Sequence, residues 1–144
     1  EANYIYFGKS NSQDSDPNVR YIKMNGRKIY EFALINVPKA MKSCLEKSGK
    51  SIKDLKKVFI HQANEKMYEA ILKRFYKLFG EKVPDGVMPM TIQELGNSSV
   101  ATVPTLLELV INKQIDNQEL QKGALIMLAS VGAGMNIHAI VYES

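Results

Sequence analysis

Leu55-Lys56-Lys57-Val58-Phe59-Ile60-His61-Gln62-Ala63-Asn64 is the stretch on which the fold turns. Lys57 to Ile60 is short, apolar and β-branched, which predicts a buried strand. A helical pattern follows from near Glu65, with Met67, Ala70, Ile71, Phe75 and Leu78 on one face. A histidine and two amide side chains therefore stand where a strand gives way to a helix. In open α/β sheets, ligands bind at the carboxyl ends of the strands. The weight of His61 depends on which other residues can meet it there.

Downstream, Pro84-Asp85-Gly86 reads as a turn and Val87 to Ile92 as a short strand, weakened by Pro89. Gly96-Asn97-Ser98-Ser99 makes a second sharp corner, with serines placed to cap a helix. That helix carries Val103, Leu106, Leu107, Val110 and Ile111, and Pro104 is tolerable in its first turn or at a kink. Ala124 to Ala129 is a strongly apolar strand. Gly132-Ala133-Gly134 is a tight turn, and Met135 to Tyr142 returns as a last, antiparallel strand.

Upstream, Tyr4 to Phe7 reads as a short strand, residues 8–18 as a surface loop rich in Ser, Asn, Asp and Gly, and Val19 to Met24 as a weak strand. Asn25-Gly26 is a turn signal. Ile29, Phe32, Ala33, Val37, Ala40, Met41, Cys44 and Leu45 then form the apolar face of a long helix. Pro38 is expected to kink or divide it, and Gly49 to end it. Ser51 to Asp54 resembles a capping box opening a short turn. The order strand, helix, strand, helix, strand, helix, strand, strand predicts an α/β (or α+β) fold with a mixed sheet.

The chain has 144 residues, 45% hydrophobic and 24% charged, the profile of one globular domain with a sizeable core. No apolar run approaches the ~20 residues of a membrane span. The start, Glu1-Ala2-Asn3-Tyr4, has no basic region before an apolar one, so no secretory signal is read and a cytoplasmic location is expected. One cysteine cannot form an internal disulfide, which fits a reducing compartment. The net charge of +4, from 19 basic and 15 acidic residues, could favour an acidic partner but is not the dense basic patch of a nucleic-acid binder. No metal-ligand spacing is present.

His61 and Asn97 each occupy a corner between a strand and a helix. If those strands are neighbours, a neutral imidazole N–H and an amide NH₂ can aim at one oxygen. That is an oxyanion site, able to stabilise an enolate or tetrahedral intermediate. The plainer alternative is a loop histidine and a capping asparagine. Cys44 falls on the apolar face late in the first helix and reads as packed and inert. His138 reads as structural, within the last strand. Lys66, Lys73 and Lys77, with Arg74 beside them, line up as a basic stripe directly after the His61 corner. Such a stripe is either a solvated helix face or a docking surface.

Phe59-Ile60-His61-Gln62-Ala63-Asn64, Gly96-Asn97-Ser98-Ser99-Val100-Ala101-Thr102-Val103-Pro104 and Val131-Gly132-Ala133-Gly134-Met135 together resemble the C-terminal half of the 3-oxoacyl-[acyl-carrier-protein] synthase III family, in the thiolase superfamily. Tyr21 to Arg27 also looks like the family's stretch before its connecting helix. The resemblance covers the chain from about Val19 onward. It implies a thiolase-like half: a mixed, mostly five-stranded sheet flanked by helices. It implies an acyltransferase of fatty acid synthesis, catalysing decarboxylative Claisen condensation of an acyl thioester with malonyl-acyl carrier protein. His61 and Asn97 match the family's enolate-stabilising pair. Gln62, Ala63, Asn64, Glu65, Lys66, Lys73 and Arg74 match its carrier-protein contacts, and acidic carrier proteins would be steered by such a stripe. Gly132, Ala133 and Gly134 match the turn that shapes the substrate cavity.

No cofactor is implied beyond the coenzyme A or carrier-protein thioester substrates. The implied partners are acyl carrier protein, the protein's own N-terminal half and a second subunit in a homodimer. The family nucleophile, a cysteine of the N-terminal half, is absent from this sequence, and Cys44 aligns with the connecting helix. Residues 1–144 therefore read as a C-terminal domain, inactive alone, that exposes apolar surface such as the Val103 to Ile111 face. Glu31 stands where a basic carrier contact is often found. Met135-Asn136-Ile137-His138 replace a commoner Phe-Thr-Trp-Gly run and are expected to reshape the acyl pocket. The alternatives are another thiolase-superfamily acyltransferase of secondary metabolism, and a non-catalytic carrier-protein-binding domain.

Overall fold

The structure is a computed structural model that describes residues 2–144, with Ala2 and Ala133 described by their backbone alone. Its centre is a three-stranded sheet ordered β3 (Leu55–Ile60), β4 (Leu125–Gly132), β5 (Asn136–Glu143). β3 pairs with β4 in parallel, Val58 opposite Met127 and Ile60 opposite Ala129. β4 pairs with β5 antiparallel, Leu125 opposite Glu143 and Gly132 opposite Asn136. The mixed sheet and the antiparallel last strand are thus as the sequence predicts.

Period-two alternation assigns the two faces. Val58, Ile60, Met127 and Ala129 point into a core shared with Ala33, Met41 and Leu45 of α1 (Gly26–Lys47) and Ile71 and Phe75 of α2 (Glu65–Lys77). Phe59, Ile126 and Leu128 point the other way, against Leu106 and Val110 of α4 (Thr102–Ile111). Pro104 falls in the first turn of α4, where its missing N–H costs nothing. Beyond α4's reach, the same face of β5 is open: Ile140 is 55% exposed and Tyr142 56%. Val100, ahead of α4, is 91% exposed, and Ile111 at its end is also exposed. Apolar surface is therefore present at α4's two ends and beside it.

Among the described residues five strands form, but not one sheet. β1 (Ile5–Gly8) and β2 (Tyr21–Met24) pair with each other, Ile5 opposite Met24, as a separate two-stranded ribbon. Each has only one residue that is not exposed, so neither offers the apolar face needed to join the central sheet. The intervening residues 9–20 are irregular, as expected of a surface loop. Residues 87–92 correct the predicted strand. A single bond, from the Val58 N–H to the Val87 carbonyl at 2.8 Å, ties this segment to β3. Pro89 has no N–H to offer a ladder, and a one-turn helix, α3 (Ile92–Leu95), already starts at Ile92.

α1 also departs from expectation. Asn25 caps it, accepting from the Lys28 N–H at 3.3 Å, and the helix runs its 22 residues through Pro38 without dividing. Pro38 cannot donate to the carbonyl of Leu34, four residues back. The Arg74 guanidinium of α2 supplies that bond instead, at 3.1 Å. Just past the helix end, Gly49 has a φ of +69°, the left-handed conformation that a terminal glycine accommodates.

Candidate functional site

His61 continues the β3 ladder for one residue, its N–H donating to the Ala129 carbonyl at 3.0 Å. Three residues on, Asn64 caps α2 by accepting from the Met67 N–H at 3.1 Å. His61 is thus held between a ladder bond and a helix cap. Its ring meets Tyr68 of α2 edge-on, with centroids 6.1 Å apart and planes at 86°. Burial pushes the imidazole below its ordinary pKa, and a hydrogen bond with the Ser99 backbone partly opposes this. The ring is therefore neutral at pH 7, with one N–H donor and one acceptor nitrogen.

Asn97 follows α3 and Gly96. Gly96 has φ 65° and ψ −157°, a region that residues with a side chain avoid. The Asn97 Oδ1 accepts from the Ser99 N–H at 2.9 Å. That bond uses the acceptor of the amide and leaves its NH₂ to donate. Asn97, and not Ser98 or Ser99, thus makes the side-chain bond to the backbone at this corner.

His61 and Asn97 line one open cavity of about 610 Å³. Its walls are largely apolar, with Met67, Val103, Leu128 and Val131 among them. Two residues with side chains, Ser99 and Met135, line the same cavity with φ values of 54° and 59°. Such left-handed strain is tolerated where surrounding structure enforces it, and it concentrates at functional sites.

Of the glycine turn, Gly132 lines this cavity and Gly134 does not. The side chain of Ala133 lies outside the described residues. His138, read as a packed or partly exposed structural histidine, is exposed and also lines the cavity. Cys44 is half-buried against β5, its Sγ 3.3 Å from the Ala139 carbonyl. Among the described residues, no group of three or more His, Cys, Asp or Glu side chains could hold a metal ion. Likewise, no described helix is long and apolar enough to cross a membrane.

The residues matched to carrier contacts divide. Ala63, Lys66 and Lys73 are exposed, Lys73 standing 3.9 Å from Glu69 across one helical turn. Glu65 accepts from Gln93, and Glu31 pairs with Arg27 at 2.9 Å on α1. Gln62 is a correction: it is 1% exposed, and both ends of its amide are bonded within the chain. It cannot meet an outside protein. Arg74 is committed to Leu34, as described above. Spacing could not reveal either role, because each partner is a backbone group distant in sequence.

Comparison with known proteins bears on the family and the fold. Residues 45–144 match the family model for the C terminus of 3-oxoacyl-[acyl-carrier-protein (ACP)] synthase III. The beta-ketoacyl-[acyl-carrier-protein] synthase III of Pyropia yezoensis is 34% identical over 126 residues, covering 88% of this chain and 36% of the relative. That of Thermosynechococcus vestitus is 30% identical over 122 residues, covering 85% and 34%. The chain thus spans about a third of the length of these relatives. Among solved structures, the beta-ketoacyl-[acyl carrier protein] synthase III of Thermus thermophilus aligns with a TM-score of 0.80 at 24% identity, covering 99% of this chain and 42% of that one. The priming beta-ketosynthase of the R1128 polyketide pathway aligns at 0.77 and 23%, covering 99% and 41%. Fold and sequence together make this chain a member of the 3-oxoacyl-[acyl-carrier-protein] synthase III family, carrying its thiolase-like C-terminal region.

Proposed function

We propose that this chain supplies the oxyanion half of a decarboxylative condensing site. The supporting observation is that His61 and Asn97, 36 positions apart in sequence, line the same apolar-walled cavity at the carboxyl ends of the parallel strands. In this reading a malonyl thioester enters with its thioester oxygen toward the Asn97 NH₂ and the His61 N–H, which exchanges the Ser99 backbone for the substrate oxygen. The bond to the terminal carboxylate breaks and carbon dioxide leaves. The electron pair becomes the enolate, whose charge falls on that oxygen. A hydrogen bond strengthens as negative charge grows on its acceptor, so both donors favour the charged enolate over the uncharged thioester. The enolate carbon then attacks an acyl thioester held on a cysteine of the N-terminal half. The thiolate departs, and a 3-oxoacyl thioester is formed. None of these steps requires a redox or metal cofactor.

The whole protein is then an acyltransferase of fatty acid synthesis, and residues 1–144 alone do not condense substrates. Acyl carrier protein is the proposed partner. Lys66 and Lys73, exposed on α2 beyond the His61 corner, are the cations that would meet its acidic surface. The exposed apolar surface around α4 and β5 fits burial against the N-terminal half, within a homodimer.

The test is made in the full-length protein. Carbon dioxide release from malonyl-acyl carrier protein is measured for His61→Ala and Asn97→Ala, beside acyl transfer to the cysteine. Each substitution is expected to slow release by roughly 100- to 1,000-fold. Release at the wild-type rate in both variants would sink the reading and leave only carrier binding.

A further inference from the structure

Gln62 lies beside His61 and faces away from the cavity. Its Nε2 donates to the Pro89 carbonyl at 2.8 Å, and its Oε1 accepts from the Thr91 N–H at 3.0 Å. A flipped amide would lose both bonds, so the network fixes the orientation. Thr91 in turn begins α3, its carbonyl accepting from the Leu95 N–H at 2.8 Å. α3 leads through Gly96 to Asn97, and Asn97 holds Ser99. Ser99 and His61 then line the same cavity. A second tie runs beside the first, from Gln93 to the Glu65 carboxylate at 3.1 Å.

The result is a continuous path from His61 through Gln62, Thr91 and α3 to Asn97 and Ser99, which meet His61 again at the cavity wall. Gln62 is the only buried side chain in it that bridges the two corners. We infer that Gln62 is a positioning residue, whose amide sets the separation of the two donors, His61 and Asn97. This rests on the oxyanion reading of those two residues.

The physical reason is that two-donor stabilisation is steeply geometric. A misplacement of about 1 Å can cost on the order of a hundredfold in rate. The segment from Pro89 to Thr91 lacks the strand ladder that would otherwise hold it. Without the amide, the polar ties that remain among the described residues are the exposed Gln93–Glu65 contact and, upstream, the Val58–Val87 bond.

The experiment uses the full-length protein with two substitutions. Gln62→Met keeps the bulk and removes both bonds. Gln62→Glu keeps the acceptor for Thr91 but can donate to Pro89 only when protonated, and burial favours the protonated form. Three quantities are read: carbon dioxide release from malonyl-acyl carrier protein, acyl transfer to the cysteine, and the thermal midpoint. For Gln62→Met, release is expected to fall roughly tenfold to a hundredfold while acyl transfer stays near wild type. For Gln62→Glu, release relative to wild type is expected to recover as pH falls, with acyl transfer flat.

A merely structural glutamine would lower release and acyl transfer together, in step with the folded fraction, and that outcome overturns the inference. So does a wild-type release-to-transfer ratio in Gln62→Glu at a pH high enough to ionise the carboxyl, which decides the matter even if Gln62→Met does not fold. His61→Ala, measured alongside, separates the two levels. Wild-type release in His61→Ala removes the oxyanion reading and this inference with it. Slow release in His61→Ala with wild-type ratios in both Gln62 variants removes the positioning role alone.

Discussion

Arg74 gives the sharpest prediction about what holds the helices together. Its guanidinium reaches from α2 to the Leu34 carbonyl of α1 at 3.1 Å. Leu34 is buried, and its carbonyl lacks the helical donor because Pro38 stands four residues on. A hydrogen bond from a charged donor contributes about 1.5–3 kcal/mol. Arg74 is itself exposed, which places its bond at the lower end of that range. Arg74→Ala in the full-length protein should therefore cost about 1–2 kcal/mol, counting the apolar stem that packs along the surface. The informative comparison is with Pro38→Ala, which returns an N–H to the helix. In that background the Leu34 carbonyl has its own donor, and Arg74→Ala should cost about 0.5 kcal/mol or less. The coupling between the two positions is then about 1 kcal/mol. Urea midpoints of the wild type, both single variants and the double variant close the cycle. Costs that add within about 0.5 kcal/mol would refute the exchange of donors. If Arg74→Ala leaves stability untouched but weakens carrier-protein binding, the guanidinium acts outward instead.

The same physics makes two further expectations concrete. His61 is held below its ordinary pKa of 6.5, so below that pH the unfolded chain binds a proton that the folded chain resists. Its stabilising share is full above about pH 6.5 and is lost as pH falls through the folded value. Thermal midpoints from pH 8 to pH 5 should therefore fall more steeply for wild type than for His61→Gln, and parallel curves would contradict this. Gly96→Ala meets no atom within 4 Å, so its cost is purely that of the backbone region, about 1–3 kcal/mol. It should lower the urea midpoint and slow carbon dioxide release by shifting Asn97, whereas wild-type stability would show that the corner relaxes freely.

The layered core was legible because its signals are local. The apolar run Val58-Phe59-Ile60 marked a buried strand, and the spacing of Met67, Ile71 and Phe75 assigned one face to a helix. The candidate site was half legible. His61 and Asn97 could be singled out as polar residues at strand–helix corners, but only the fold could bring them to one cavity. Gln62, Arg74 and the 87–92 segment were not legible, for a common reason: each depends on a side chain serving a distant backbone group. Gln62 substitutes for a ladder at Pro89 and Thr91, and Arg74 substitutes for the N–H that Pro38 lacks. Sequence periodicity reports which side chains face the core, and says nothing about a polar side chain that completes another element's backbone. The division of the strands into two sheets was hidden similarly, since β1 and β2 carry apolar residues that remain exposed, Phe7 at 73% among them.

The parallel pairing of β3 with β4 also has a consequence during synthesis. Leu55 pairs with Leu125, so the second strand leaves the ribosome about 70 residues after the first. At the usual ~5–20 residues per second that is a wait of roughly 3–14 s. Throughout it β3, with five of its six residues destined for burial, has no sheet partner, whereas β4 and β5 can close as a hairpin almost as soon as they emerge. His61, whose N–H bonds to Ala129, is placed only when that delayed pairing forms. The His61 corner of the nascent chain thus waits for β4, through a period in which its own strand is open to pairing with another molecule.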